Sequence, residues 1–515
     1  MHKYITCFSL ISFLTPSEAK SQNATWAADV ASIVYNKCTS CHRTGGIAPF
    51  SIENYQEAVS SSSSIKRVVE KGTMPPWPPD QTYSRFAHER SLSADQKNKI
   101  LNWINSNTPR GDISVEPPLP NFPNNGDLSG TPDLSKMTPL FTINASSDIY
   151  QCFVLKNTES IDKFISAMEV IPGNRSAVHH VLVYYDKTGQ AQKLDDASPE
   201  PGYKSFGGIG VNSAELIGAW VPGSTPQVYP KGMGVKLPAG GDIVMQIHYP
   251  SSSDGQKDQT ILKLFYSKES KVRQVFIVPI LDHLGTLTNG PLVIPANTIK
   301  TFNSQFNTNL LKATVLSVAP HMHLIGKSIE VYATNPNNTK TNLIRINNWD
   351  FHWQGYYSFP KPIILNPGTK VVANATYDNT SNNVNNPNSP PKIITLGEKT
   401  TDEMMLVYFS FLLYENGDEN IIIDSSFINN VNEAGITESR DWNINKQSNN
   451  SYLVTIDPEM IGGFLHIYNE SGHVLQHQKI STINTDIYIP NRSGGILYCQ
   501  FIKDNKKSLK RLFTN

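Results

Sequence analysis

His179-His180-Val181-Leu182-Val183-Tyr184-Tyr185 opens on two imidazoles and runs on in apolar and aromatic residues. Asp242-Ile243-Val244-Met245-Gln246-Ile247-His248-Tyr249 has the same character and carries a third histidine near its end. Short runs rich in β-branched and aromatic residues, bounded by Gly, Pro and Asn, spell strands. Thr260–Tyr266, Ser328–Ala333 and Met405–Leu413 repeat the pattern. From about residue 137 to 425 such runs predict antiparallel sandwiches rather than a parallel sheet. The stretch has room for two, at 137–270 and 271–425.

Outward from this centre the composition changes. Residues 22–112 read as a small α-helical domain, with helix-like apolar spacing over Trp26–Lys37, Ile52–Lys71 and Ser93–Asn107, and Ser93 as an N-cap. Residues 113–136 are rich in Pro, Gly, Asn and Asp and read as a linker. Residues 440–515 form a third β pattern, a C-terminal sandwich. The fold class is therefore multidomain and mainly β, as a chain of 515 residues requires more than one core.

Met1–Lys3 is basic, Tyr4–Leu14 is apolar, and small and polar residues follow. That order predicts a signal peptide over 1–21 and an exported protein: periplasmic, cell-surface or secreted. Lys and Arg together number 44, as do Asp and Glu, so no basic excess exists to drive nucleic-acid binding. Cleavage would leave Cys38, Cys41, Cys152 and Cys499, a disulfide-poor set.

Cys38-Thr39-Ser40-Cys41-His42 is a C-x-x-C-H sequence. Two thiols at that spacing can form thioethers to haem vinyl groups, and the next imidazole can reach the iron. Met74, in Gly72-Thr73-Met74-Pro75-Pro76-Trp77, is the candidate for the opposite axial position. A thioredoxin-like C-x-x-C or half a zinc site is the competing reading; neither needs His42, and no second C-x-x-C completes a zinc site. The N-terminal region resembles an exported cytochrome c domain, which implies haem c.

Five histidines fall into three contexts within the β region: His179-His180, His248 and His321-Met322-His323. An H-x-H pair on a strand points both rings to one face, a two-point clamp. An H-H pair points to opposite faces unless it lies at a bend. Imidazole suits copper, zinc, iron and nickel alike, and a thioether ligand shifts the choice toward copper.

Further motifs stand between and beyond these histidines, in order: Gly218-Ala219-Trp220-Val221-Pro222-Gly223, Tyr229-Pro230-Lys231-Gly232-Met233-Gly234, the run Trp349-Asp350-Phe351-His352-Trp353-Gln354, and Thr401-Asp402-Glu403-Met404. Together they resemble the copper type II, ascorbate-dependent monooxygenases, the peptidylglycine and dopamine β-monooxygenase type, over about residues 140–420. The resemblance implies two jelly-roll sandwiches and two copper ions. His179, His180 and His248 would hold an electron-storing copper, and His321, His323 and Met404 an oxygen-binding one, with Tyr408 beside it. It implies hydroxylation of a C–H bond of a small organic substrate with O2. The reductant would be ascorbate-like or a redox protein, and the haem domain would feed electrons to the all-imidazole copper.

Departures bear on the substrate. Peptide-amidating members carry Arg and Asn where this chain has Ala319 and Leu406, so a neutral or apolar donor is expected rather than a peptide carboxylate. Cys152 matches a half-cystine position of the family but has no partner nearby. The rival expectation is a non-enzymatic haem and copper electron-transfer or copper-binding protein. Ser451–Asn515, with a basic run at Lys506–Arg511 and His466, His473 and His477 expected at its surface, resembles the sorting domains of the type IX secretion system, which would make that machinery a partner.

Overall fold

The computed structural model describes residues 23–120, 126–128, 130–397, 399–424, 442–447, 450–468, 474–489, 495–503 and 506–514. The expected signal peptide at 1–21 and His473 lie outside them.

The N-terminal unit is helical. A π-type turn, Trp26–Val30, leads into Ala31–Lys37, and the helices Tyr55–Ser60, Ser62–Lys71 and Ala94–Asn105 follow. Ser93 forms a capping box with Gln96, as its position before an amphipathic run predicts. The single helix expected over Ile52–Lys71 starts instead at Tyr55 under an Asn54 cap and breaks at Ser61. Five consecutive serines, Ser60–Ser64, lie at the break, and their hydroxyls compete with the helix for backbone partners. Trp26 and Trp103, both fully buried with ring centroids 5.6 Å apart, anchor the core between the helices.

The central region is two packed layers repeated. A five-stranded sheet takes Tyr203–Lys204, Ile149–Lys156, Asp242–Tyr249, His180–Asp186 and Glu215–Trp220 in that order. It faces a nine-stranded sheet across a core that includes Phe153, Val183, Ile247 and Leu264. The far end of the nine-stranded sheet packs on the four strands Thr298–Asn307, Lys370–Asn379, Gly326–Thr334 and Lys340–Ile346. Alternation places Val181, Val183 and Tyr185 in the first core and turns His180, Leu182 and Tyr184 outward, as period-two side-chain geometry requires.

Two antiparallel sandwiches were expected at 137–270 and 271–425, and the strand Arg273–Leu281 joins the sheets of the two halves. It pairs parallel with Met233–Leu237 and antiparallel with Leu406–Leu413, so one sheet runs through both units. Arg273 also clamps Asp418 with two hydrogen bonds, 2.7 and 2.8 Å. A parallel joint between strands from different halves has no local signal in either strand.

The helical unit is docked, not merely tethered. Phe86 is fully buried in the second core, against Tyr357 and Phe359 at 5.5 Å. The backbone of Asp80 donates to Arg345 and that of Ala87 to Ser358, and the Trp77 ring meets Tyr357 edge-on at 5.5 Å. The C-terminal unit has sheets of three and four strands around Trp442, Tyr452 and Phe501. Within it His477 is exposed and stacks at 4.4 Å on His466, which is half-buried.

Candidate metal centre

His180 and His248 sit opposite each other on neighbouring antiparallel strands, in direct register. His179 precedes the first of these strands, and its backbone donates to the carbonyl of His248. His179 lies just before the regular strand that begins at His180, and both imidazoles reach the same cluster. The ligand atoms of His179, His180 and His248 all fall within 4.8 Å of one another. Nδ1 of His179 lies 3.2 Å from Nδ1 of His180 and 3.1 Å from Nδ1 of His248.

Three imidazoles this close cannot all carry protons. Burial, then the charge of His248, lowers the pKa of His179 to about 3 and that of His180 well below its ordinary value. Neutral imidazole is the form that ligates metal. Nε2 of His248 lies 3.1 Å from Asp148, the carboxylate partner that fixes a ligating ring. Tyr150 stacks on the other face of His248 at 4.3 Å, with planes 5° apart.

A second cluster stands across the same cavity. His321 ends the strand Ala313–His321, but His323 lies beyond it in the following turn, so the H-x-H pair is not wholly on a strand. The two rings are 5.1 Å apart at 82°. Nδ1 of His321 donates to Gln354 at 2.6 Å and Nδ1 of His323 to the carbonyl of Asp402 at 3.2 Å. Both Nε2 atoms are thereby left for a ligand. Burial first, then the neighbouring imidazole, lowers His323 to about 3.

Met404 joins this cluster through a buried carboxylate. Glu403, fully buried, accepts from the backbone of His323 at 2.9 Å, Ile325 at 2.8 Å and Met404 at 3.2 Å. Burial pushes its carboxyl up to about 8 despite those bonds. The Tyr377 hydroxyl holds the carbonyl of Met404 at 2.6 Å. Met404, Tyr408, His321 and His323 line one cavity of about 350 Å³ together with His179 and His180. Two imidazoles and a thioether can hold copper, and soft sulfur favours its reduced state.

Phe351 separates the clusters. Its ring stacks on His179 at 5.7 Å and meets His323 edge-on at 6.0 Å. The sequence run containing Phe351 and Gln354 is legible, but the roles of Phe351, Gln354, Asp148 and Glu403 are not, because each acts through a ligand brought near only by folding.

The N-terminal candidates are placed as follows. Cys38, Cys41, Cys152 and Cys499 are free thiols. His42 begins a loop after the first helix, and its Nδ1 lies 3.1 Å from the carbonyl of Phe50, an orientation that leaves Nε2 open. Burial raises the Cys38 thiol to about 12, so it stays neutral. Cys41 lines a crevice between the helical unit and the Gly223 turn, whereas His42 and Met74 do not.

The fold and these clusters define a candidate two-site metalloprotein built on paired β-sheets. Residues 135–256 match the model of the copper type II ascorbate-dependent monooxygenase N-terminal domain, and residues 284–426 match that of its C-terminal domain. The matches together take in just over half of the chain, and by this core it belongs to the copper type II ascorbate-dependent monooxygenase family.

DBH-like monooxygenase protein 2 of Mus musculus is 25% identical over 264 residues, covering 47% of this chain and 39% of that protein. The chain thus spans about two fifths of this curated relative. Solved structures overlap only slightly. PNGase F, a glycosylasparaginase from Flavobacterium meningosepticum, is 9% identical, with 55% of this chain and 100% of that chain covered and a TM-score of 0.22. A β-D-glucuronidase of Dictyoglomus thermophilum is 12% identical, with 48% and 44% covered and a TM-score of 0.14.

Proposed function

We propose that this protein hydroxylates a C–H bond of a small organic substrate with O2, using one copper at each histidine cluster. The observation that carries the reading is the shared cavity: it is lined by His179 and His180, which cluster with the buried His248, and by His321, His323 and Met404. Copper, when bound, supplies the redox chemistry by which one oxygen atom enters the C–H bond and the other leaves as water, consuming two electrons and two protons. The chain's own residues do the rest. Asp148 and Gln354 orient His248 and His321, Glu403 fixes the turn that presents His323 and Met404, and Phe351 closes the space between the clusters.

Cys38, Cys41, His42 and Met74 of the helical unit would hold a haem c, which would supply a one-electron carrier between an ascorbate-like or protein donor and the three-imidazole cluster. Supporting this reading, a Cβ added at Gly223 would lie 3.4 Å from the Cys41 sulfur. The strand ending at Trp220 just before that turn pairs with Val181, next to His180. The N-terminus is a signal peptide, and the C-terminal unit directs type IX export. No helix of the described residues is long and apolar enough to cross a membrane.

The test is oxygen uptake by copper-loaded protein with ascorbate and a panel of small organic molecules. Uptake matched mole for mole by a hydroxylated product bearing label from 18O2 is expected. Uptake yielding only peroxide across the panel, or no uptake, would overturn the reading.

A further inference from the structure

The strands that bear His180 and His321, and the one that follows Met404, continue the cavity-lining face with mostly apolar side chains, while Gln246 stands two before His248. Leu182 and Tyr184 follow His180 at period two, Ala319 precedes His321, and Leu406 and Tyr408 follow Met404. All of these line the shared cavity. Among the described residues lining it there is no Asp, Glu, Lys or Arg. Asp350 and Asp148 stand behind this wall, 3.0 Å from His352 and 3.1 Å from His248, and neither lines the cavity.

A carboxylate or ammonium placed against this wall would shed water and meet no Asp, Glu, Lys or Arg side chain lining it, a cost that an uncharged molecule avoids. We infer that the cleft takes an uncharged substrate with an apolar body, and that it rejects molecules ionised at neutral pH. The inference rests on the hydroxylation reading for its site and adds the class of molecule that site accepts. The cavity volume, about 350 Å³, sets the scale at a small molecule.

The matched probes are 2-phenylethanol, phenylethylammonium and phenylacetate, equal in framework and different in charge. Binding to the full-length protein is measured calorimetrically at pH 7, with and without copper. The neutral probe is expected to bind at least about 10-fold more tightly than either ion, because an unpaired buried charge costs more than 1.4 kcal/mol. Leu406→Arg, which adds a cation to the wall, should shift the preference toward phenylacetate; Leu182→Lys tests the opposite wall should the first variant fail to fold. Equal or tighter binding of either ion to the wild-type protein would overturn the inference. Because the metal-free arm reads the pocket alone, selective binding without copper uptake would instead count against the hydroxylation reading.

Discussion

Gln354 lies 2.6 Å from Nδ1 of His321, although 33 residues separate the two. The amide oxygen accepts a hydrogen bond from the Nδ1–H and so fixes which nitrogen faces the cleft. Partners of this kind typically account for 10–100-fold in metal affinity. Gln354→Leu should weaken copper at the His321 cluster by about that factor and leave the three-imidazole site unchanged. Titration of Cu(I) against a competing chelator, resolving two sites, checks it.

Asp148 plays the corresponding part for His248, from 100 residues away. Its carboxyl is held below the usual range, first by the His248 hydrogen bond. Asp148→Ala should lower copper affinity at the three-imidazole cluster by about 10-fold or more, while Asp148→Asn, which still accepts a hydrogen bond, should lose less. Cu(II) EPR of partially loaded protein reads this site separately; equal losses for both variants would assign Asp148 a merely steric role.

Phe86 ties the helical unit into the core of the second sheet pair. Phe86→Ala should cost about 3–5 kcal/mol in that core and free the segment from residue 77 to residue 90. Chemical denaturation gives the stability, and protection of the backbone amide of Ala87, which donates to Ser358 at 2.7 Å, reads the docking itself.

The same seam is pH-sensitive. Thr82, Arg345 and Asn347 hold the Asp80 carboxyl below its ordinary value, with the Thr82 hydrogen bond the largest cause. A depressed carboxylate stabilises the docked state above the unfolded pKa, near 4, and loses that contribution as pH falls toward the folded value. Docking should therefore be constant above about pH 5 and weaken only in more acidic solution. Asp80→Asn should remove most of that acid dependence, as followed by hydrogen exchange at Asp80 and Ala87.

The strands were legible because their alternation is local. Asp242–Tyr249 is read from sequence and found with the same bounds. The three clusters were legible as histidines at recognisable spacings, and the resemblance grouped them. Three features were not. The parallel joint of Arg273–Leu281 with Met233–Leu237 depends on which strands meet, not on what either contains. The docking of Phe86 puts a residue of the helical unit into the core of another, where an isolated aromatic carries no periodic signal. Glu403 stands in a motif that draws the eye to Met404, yet it is the buried carboxylate that binds the backbone of His323, Ile325 and Met404.

Met404 distinguishes two unlike copper cages from two similar ones, and copper K-edge X-ray absorption of the reduced, fully loaded protein tests that distinction directly. Two coppers per chain and one sulfur scatterer shared between them are expected, with the sulfur lost and turnover abolished in Met404→Ala while the absorbance of the N-terminal unit is unchanged. A single copper per chain, or a pair with only nitrogen and oxygen neighbours in the wild-type protein, would contradict the account.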